Sequence, residues 1–216
     1  MCQSYVLDLT QPNPLDPIIN CTIIDGNFVI LGLSNTQCSH NGLSLPRLLE
    51  VLGSLTVEHS SCNTDLSYFL PNLIAIHGIL PFIVPSSVSV QVDIPPYSLL
   101  IHHTALSGIG LFCLRVVGSH GVLLIDNPKM CYIDTVGWHL LTLPAAARKL
   151  TSNGTLIVSN GGNIFGQDLL RKEGLFDLCA NACPANCDWV TVNNLPRSFC
   201  WSQEHCQYGK FSYFSD

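Results

Sequence analysis

Eleven cysteines, at positions 2, 21, 38, 62, 113, 131, 179, 183, 187, 200 and 206, are the residues best equipped for chemistry in this chain of 216. The last five crowd between Cys179 and Cys206, with His205 beside the final one. Thiolates and an imidazole at that density can hold zinc, but Cys179-x3-Cys183-x3-Cys187 is not the C-x2-C spacing a structural zinc site ordinarily uses. Disulfides are the competing chemistry. Two N-x-Ser/Thr sequons, at Asn20 and Asn153, favour disulfides, because sequons and persistent disulfides both belong to oxidising surroundings. Glycosylation is expected at Asn20 and Asn153, and no metal site is expected.

Other candidate chemistries are weaker. His102 and His103 are adjacent, and on a strand neighbouring side chains face opposite ways, so both should not reach one ion. Gly161-Gly162-Asn163-Ile164-Phe165-Gly166 lacks the Lys-Ser/Thr of a phosphate loop and reads as a turn. Gly118-Ser119-His120-Gly121 is not a G-x-S-x-G nucleophile elbow. Acidic residues are scattered rather than paired for glycoside hydrolysis, and kinase signatures such as HRD and DFG are absent from the chain. Neither an enzyme nor a cofactor is expected. A net charge of −6 with only nine Lys and Arg leaves no basic stripe for phosphates, which argues against nucleic acid.

The elements that must position these residues show in a repeat. Apolar–x–Gly–x–apolar–x–apolar occurs as Ile24-Asp25-Gly26-Asn27-Phe28-Val29-Ile30, as Val51-Leu52-Gly53-Ser54-Leu55-Thr56-Val57, and as Ile76-His77-Gly78-Ile79-Leu80-Pro81-Phe82. A looser copy spans Val117 to Leu124 and runs into Asn127-Pro128-Lys129-Met130-Cys131-Tyr132-Ile133-Asp134-Thr135-Val136-Gly137-Trp138. A period in the twenties implies stacked units that bury their apolar faces only against one another. With 47% hydrophobic and 11% charged residues, the composition suits strands buried on several sides. Strands are expected over 22–31, 50–58, 73–83, 97–102, 121–125 and 155–159, with 84–96 as an inserted loop. Short helices are expected within 140–150 and 166–178. Trp138 is read as a lid on the solenoid core, and Cys113, in an apolar run, as a buried free thiol.

Composition turns cysteine-rich near residue 178, which places one domain at 1–178 and a second, partial one at 179–216. The most apolar stretch, Leu70 to Val84, is broken by Pro71, Gly78 and Pro81 and is too short to span a bilayer. The first 17 residues lack the basic and continuous apolar regions of a signal peptide. Cysteines and sequons nevertheless place the chain outside the cell or at its surface, so its export signal is expected to lie outside this sequence.

Taken together, these features resemble the extracellular L domain and cysteine-rich start of the insulin receptor and EGF receptor family. Residues 20–31 (NCTIIDGNFVIL) resemble the first rung of insulin-type receptors, 70–78 (LPNLIAIHG) the third rung, and 127–138 (NPKMCYIDTVGW) the closing motif. The tail at 179–207 is more similar to the insulin-type cysteine-rich opening than to the EGF-receptor one. The resemblance implies a mainly β fold, a right-handed parallel β-solenoid with short helices, followed by a partial disulfide-rich module. It also implies the pairs Cys2–Cys21, Cys131–Cys179, Cys183–Cys200 and Cys187–Cys206. Cys38 and Cys62 sit just past rungs on adjacent coils, where a bridge is possible if their backbones approach closely.

In that family the ligand lies on the outward sheet face. Matching positions are Val29, Leu31, Thr56, Glu58, Phe82, Ile83 and His102. The resemblance implies an insulin-like or growth-factor-like peptide as ligand, with the chain acting as a receptor fragment or a soluble decoy, and leaves room for a receptor-like dimer partner. Glu58 and His102 stand where insulin-type receptors carry aromatics. That departure, with the 84–96 insertion, motivates an alternative: a structural or dimerisation module without hormone recognition.

Overall fold

A computed structural model of the protein describes residues 1–9, 17–39, 43–78, 97–118, 121–141, 157–159, 182–192 and 195–207. Among the described residues eleven short strands follow one another: β1 (Cys2–Asp8), β2 (Ile23–Leu31), β3 (Glu50–Val51), β4 (Leu55–Glu58), β5 (Ala75–Ile76), β6 (Leu99–His102), β7 (Val116–Val117), β8 (Val122–Ile125), β9 (Ile157–Ser159), β10 (Trp189–Val192) and β11 (Leu195–Ser198). A 3-10 turn (Ile133–Thr135) and a single helical turn, α1 (Trp138–Leu141), lie between β8 and β9.

β1 to β9 form one parallel sheet system, coiled as a solenoid. The nine-residue β2 feeds two ladders. Its first residues, Ile23 and Ile24, pair with β3, then β5, then β7, giving a short ladder. Its later residues, Phe28 to Leu31, pair with β4, then β6, β8 and β9, giving a long one, and β1 lies along β2 on the other side.

The repeated glycine sits where the chain turns from the short ladder to the long one. The Gly53 amide donates to the Gly26 carbonyl at 2.8 Å, and the Gly78 amide to the Gly53 carbonyl at 2.9 Å. A methyl group on Gly53 would run into the Asn27 side chain and the Gly26 carbonyl, and one on Gly118 would run into the His77 carbonyl. Backbones stacked this closely accept only glycine at the corner. Asn27 completes the corner by accepting from the Ser54 amide (2.8 Å) and hydroxyl (3.0 Å).

Two expectations change as a result. The strand expected over 50–58 is two strands with a corner between them. The strands expected over 73–83 and 97–102 are not successive rungs: Leu99–His102 pairs directly with Leu55–Glu58, so β5 and β6 belong to one coil. Residues 79–96, including the expected loop 84–96, lie outside the described residues. So do most of the helix expected within 140–150 and all of that within 166–178; α1 stands at the edge of the first.

Inside the coil, side chains form continuous rows. Phe28, Leu55, Leu99 and Val122 make one, and Ile30, Val57, Ile101 and Leu124 the next, all but Val122 fully buried. Ile24, Val51, Ile76 and Val117 continue the core across the short ladder. Each fully buried aliphatic side chain contributes about 1.5–3 kcal/mol of apolar burial, so the rows hold the coils together.

Cysteine bridges and the C-terminal segment close the structure. Cys2–Cys21, Cys183–Cys200 and Cys187–Cys206 are bonded, and so is Cys38–Cys62 between adjacent coils. Cys131 is disulfide-bonded as well, and its expected partner Cys179 lies outside the described residues. Cys113 is free but only half-buried, not enclosed as its apolar neighbours suggest, because its turn lies at the coil surface. Trp201, from the cysteine-rich segment, is buried in the solenoid core and meets Trp138 edge-on, with ring centres 5.9 Å apart. Gln207 accepts from the Gly137 amide at 2.7 Å, and the Cys200 amide donates to the Thr135 carbonyl at 2.9 Å. The lid on the solenoid end is thus shared between Trp138 and Trp201.

Candidate functional site

Pleating sends alternate residues of the long ladder outward. Register assembles two outward rows: Val6, Val29, Thr56, Leu100 and Leu123 in one, and Asp8, Leu31, Glu58, His102 and Ile125 in the other. Five of the sequence-selected ligand positions, Val29, Leu31, Thr56, Glu58 and His102, therefore meet on one face. Phe82 and Ile83 lie outside the described residues, and the place beside β4 expected for their rung is held by Leu99–His102.

The face is not open at those positions. Thr56 is fully buried, His102 is 3% exposed, and Val29 and Glu58 6% each, with only Leu31 half-buried. Tyr97, Leu100, Leu123 and Ile125 form a separate apolar cluster there. Solvent reaches the sheet mainly at β1, where Val6 is 57% exposed. Burial pushes the Tyr97 phenol up, and the Glu58 charge adds to the rise.

The long ladder ends in polar groups. Each strand is followed by a residue with left-handed backbone: Gly32 (φ 72°), His59 (53°), His103 (51°) and Asp126 (51°). Their stacking is held by hydrogen bonds that backbone amides donate to the next coil, Gly32 to the Glu58 carbonyl (3.1 Å), His59 to that of His102 (3.2 Å) and His103 to that of Ile125 (3.1 Å). Histidine and aspartate tolerate this backbone better than branched residues do.

The left-handed turn at His103 breaks the strand alternation. Its Nδ1 lies 2.6 Å from His102 Nε2, the rings nearly perpendicular, so the expectation that the two imidazoles point apart is wrong. Asp126 Oδ2 stands 3.9 Å from His102 Nε2 and 3.6 Å from His103 Nδ1. His59 adds a third ring, 5.6 Å from that of His103. Burial pushes His102 down to about 4; the His103 charge lowers it further, with Asp126 opposing and His59 adding to the fall. Burial raises the Glu58 carboxyl, and the charges of His59 and His103 oppose the rise. Glu58 Oε1 is buried and has no hydrogen-bond partner among the described residues.

Among the described residues, the cysteine-rich end offers no comparable donor set. Cys183, Cys187, Cys200 and Cys206 are consumed in disulfides. His205 stacks on Phe112 at 3.8 Å and bonds Ser202. Asn20 is exposed, as an acceptor of glycan must be, whereas Asn153 lies outside the described residues. No helix among the described residues is long and apolar enough to cross a membrane.

Comparison with known proteins agrees with this architecture. The chain is 28% identical over 190 residues to an insulin-like peptide receptor of Branchiostoma lanceolatum, covering 87% of this chain and 12% of that protein. It is 27% identical over 201 residues to an insulin-like growth factor 1 receptor of Xenopus laevis, covering 89% and 12%. With the insulin-like receptor of Drosophila melanogaster it shares 28% over 191 residues, 87% of this chain and 8% of the relative. The chain therefore spans about an eighth or less of the length of these relatives. Residues 20–142, more than half the chain, match the receptor L domain family. Coiled parallel strands, corner glycines and a closed solenoid end thus occur in a protein that belongs to the receptor L domain family.

Proposed function

We propose that the chain is an extracellular, ligand-binding module for an insulin-like or growth-factor-like peptide, acting as part of a receptor or as a soluble decoy. The observation that carries this reading is the registered outward face of the long ladder, on a chain similar to insulin-type receptors. Four disulfides among the described residues, besides the bonded Cys131, support an oxidising, extracellular setting. No HRD or DFG motif stands in this sequence and its acidic residues are scattered, which supports a part in recognition.

A peptide would engage the face from its open edge, at Val6, Asp8 and Leu31, with Val29, Thr56, Glu58 and His102 deeper in. Thr56 and His102 are buried by the chain itself, so the peptide must displace local packing to touch them. The contact would extend to Phe82 and Ile83 if their segment approaches the face.

The same burial favours a second reading, a dimerisation module without hormone recognition. The exposed apolar residues Trp189 (67%) and Leu195 (58%) of the β10–β11 hairpin provide a surface for it. One experiment separates the two. The secreted, oxidised chain is titrated with a panel of fluorescent insulin-like peptides, alongside Val6→Asp and Trp189→Ser variants. The first reading expects saturable binding, weakened about tenfold or more by Val6→Asp through lost apolar contact and an unpaired charge. Absence of binding across the panel, with a stable dimer in sedimentation that Trp189→Ser dissociates, would establish the second.

A further inference from the structure

The groups at the end of the long ladder come from three strands: Glu58 at the end of β4, His102 and His103 on and after β6, and Asp126 after β8. His102 Nε2, His103 Nδ1 and the Asp126 carboxylate lie within 4.8 Å of one another. We infer that His102, His103 and Asp126 form a binding site for a divalent transition-metal ion of the zinc class, with Glu58 beside it as a balancing carboxylate.

The distances fit. Tetrahedral ligands at about 2.0–2.1 Å from a metal stand about 3.3 Å from one another. The three separations here, 2.6, 3.6 and 3.9 Å, straddle that value, and mainly the pair of imidazoles has to part. Two imidazoles and one carboxylate are the donor set of zinc, copper or nickel rather than of magnesium or calcium, which prefer oxygen alone.

Burial grades across the site in a way a metal can use. The His102 side chain is 4% exposed, that of Asp126 31% and that of His103 50%, so one ligand is fixed in the protein while the other two face solvent. The exposed flank gives an ion its entry and leaves a coordination position for water or a ligand side chain. His103 and Asp126 are held in place by the stacked left-handed turns, not by long flexible loops.

Glu58 is an independent sign. It is the register partner of His102, is 6% exposed, and keeps one buried carboxylate oxygen without a hydrogen-bond partner among the described residues. A buried anionic oxygen left unmatched is costly, and a cation alongside would offset that cost. The single ion would tie the β6 and β8 coils together at the edge of the outward face, next to the β4 coil that carries Glu58.

The test uses the full oxidised chain, without an affinity tag that binds metal, and with Cys113→Ser to remove the free thiol. Zn2+ is titrated calorimetrically, and Co2+ is followed by its visible absorption, which reports tetrahedral geometry. One ion per chain is expected. His103→Asn and Asp126→Asn keep residues that accept left-handed backbone and should each weaken Zn2+ binding roughly tenfold or more. His205→Gln, remote from the site, should leave it unchanged. Failure of the unsubstituted site to bind saturably, or undiminished affinity in both Asn variants, would overturn the inference.

Discussion

The two sides of the long ladder share strands, register and burial, yet they carry different chemistry. Inward rows are wholly apolar: Phe28, Leu55, Leu99 and Val122, then Ile30, Val57, Ile101 and Leu124. Outward rows mix apolar residues with Asp8, Thr56, Glu58 and His102, and the last three, with Tyr97 nearby, are nearly as enclosed. Apolar rows need only fill space, and they define the coil. Buried polar groups must each find a partner, so the side that tolerates them is the side retained for something besides packing.

The sharpest way to break this comparison is to delete equal volumes on the two sides of β6. Ile101→Ala removes a fully buried inward side chain and should cost about 3 kcal/mol in urea unfolding, within the range of such truncations. Leu100→Ala, its outward neighbour at 2% exposure, should cost about 2 kcal/mol, since Tyr97, Leu123 and Ile125 surround it. A surface substitution ordinarily stays within about 0.5 kcal/mol. Leu100→Ala at that level would mean that the outward face stands open in solution, which would favour direct peptide access over the buried arrangement.

Much of the fold was legible because glycine punctuates it. Gly26, Gly53 and Gly78 fixed the period, and the apolar residues flanking them located β2, β4 and β8. What the pattern could not show was the turn at each glycine. Alternation on both sides of Gly53 reads equally well as one long strand or as two strands meeting at a corner, since only three-dimensional stacking forbids a side chain there. The third coil was split in two for the same reason: the pairing of Leu99 with Leu55 spans 44 residues and leaves no local signature.

The candidate site was partly visible and partly misread. Register united Val29 with Thr56, and Leu31 with Glu58 and His102, because a period of two within each strand determines which residues share a face. Their burial was not readable, because a strand covered on both sides and one covered on a single side can share the same apolar content. His103 was misjudged because strand alternation was carried one residue past the strand, to a position where φ is 51°. Trp201 offered no signal at all: nothing in Cys200-Trp201-Ser202 says that the ring is buried in a core built mostly from residues before 142.

The smallest expected effect probes the outward side by its titration. Tyr97 is 2% exposed; burial, chiefly, holds its phenol above the ordinary value near 10, with the Glu58 charge adding to the rise. A group whose folded value is raised contributes stability that is complete below its unfolded value and is lost as pH climbs towards the folded one. The wild-type chain should therefore keep this contribution through pH 9 and begin to lose it above about pH 10. Tyr97→Phe keeps the ring and removes only the hydroxyl, so at pH 8 the two chains should differ by no more than about 1 kcal/mol. Phenylalanine has no proton to lose, so the stability of the variant relative to the wild type should rise as pH passes 10. Urea unfolding of both chains at pH 8, 10 and 11 measures it. A gap that stays constant over that range would mean the phenol ionises freely in the folded state, which is incompatible with a ladder buried on both sides at Tyr97.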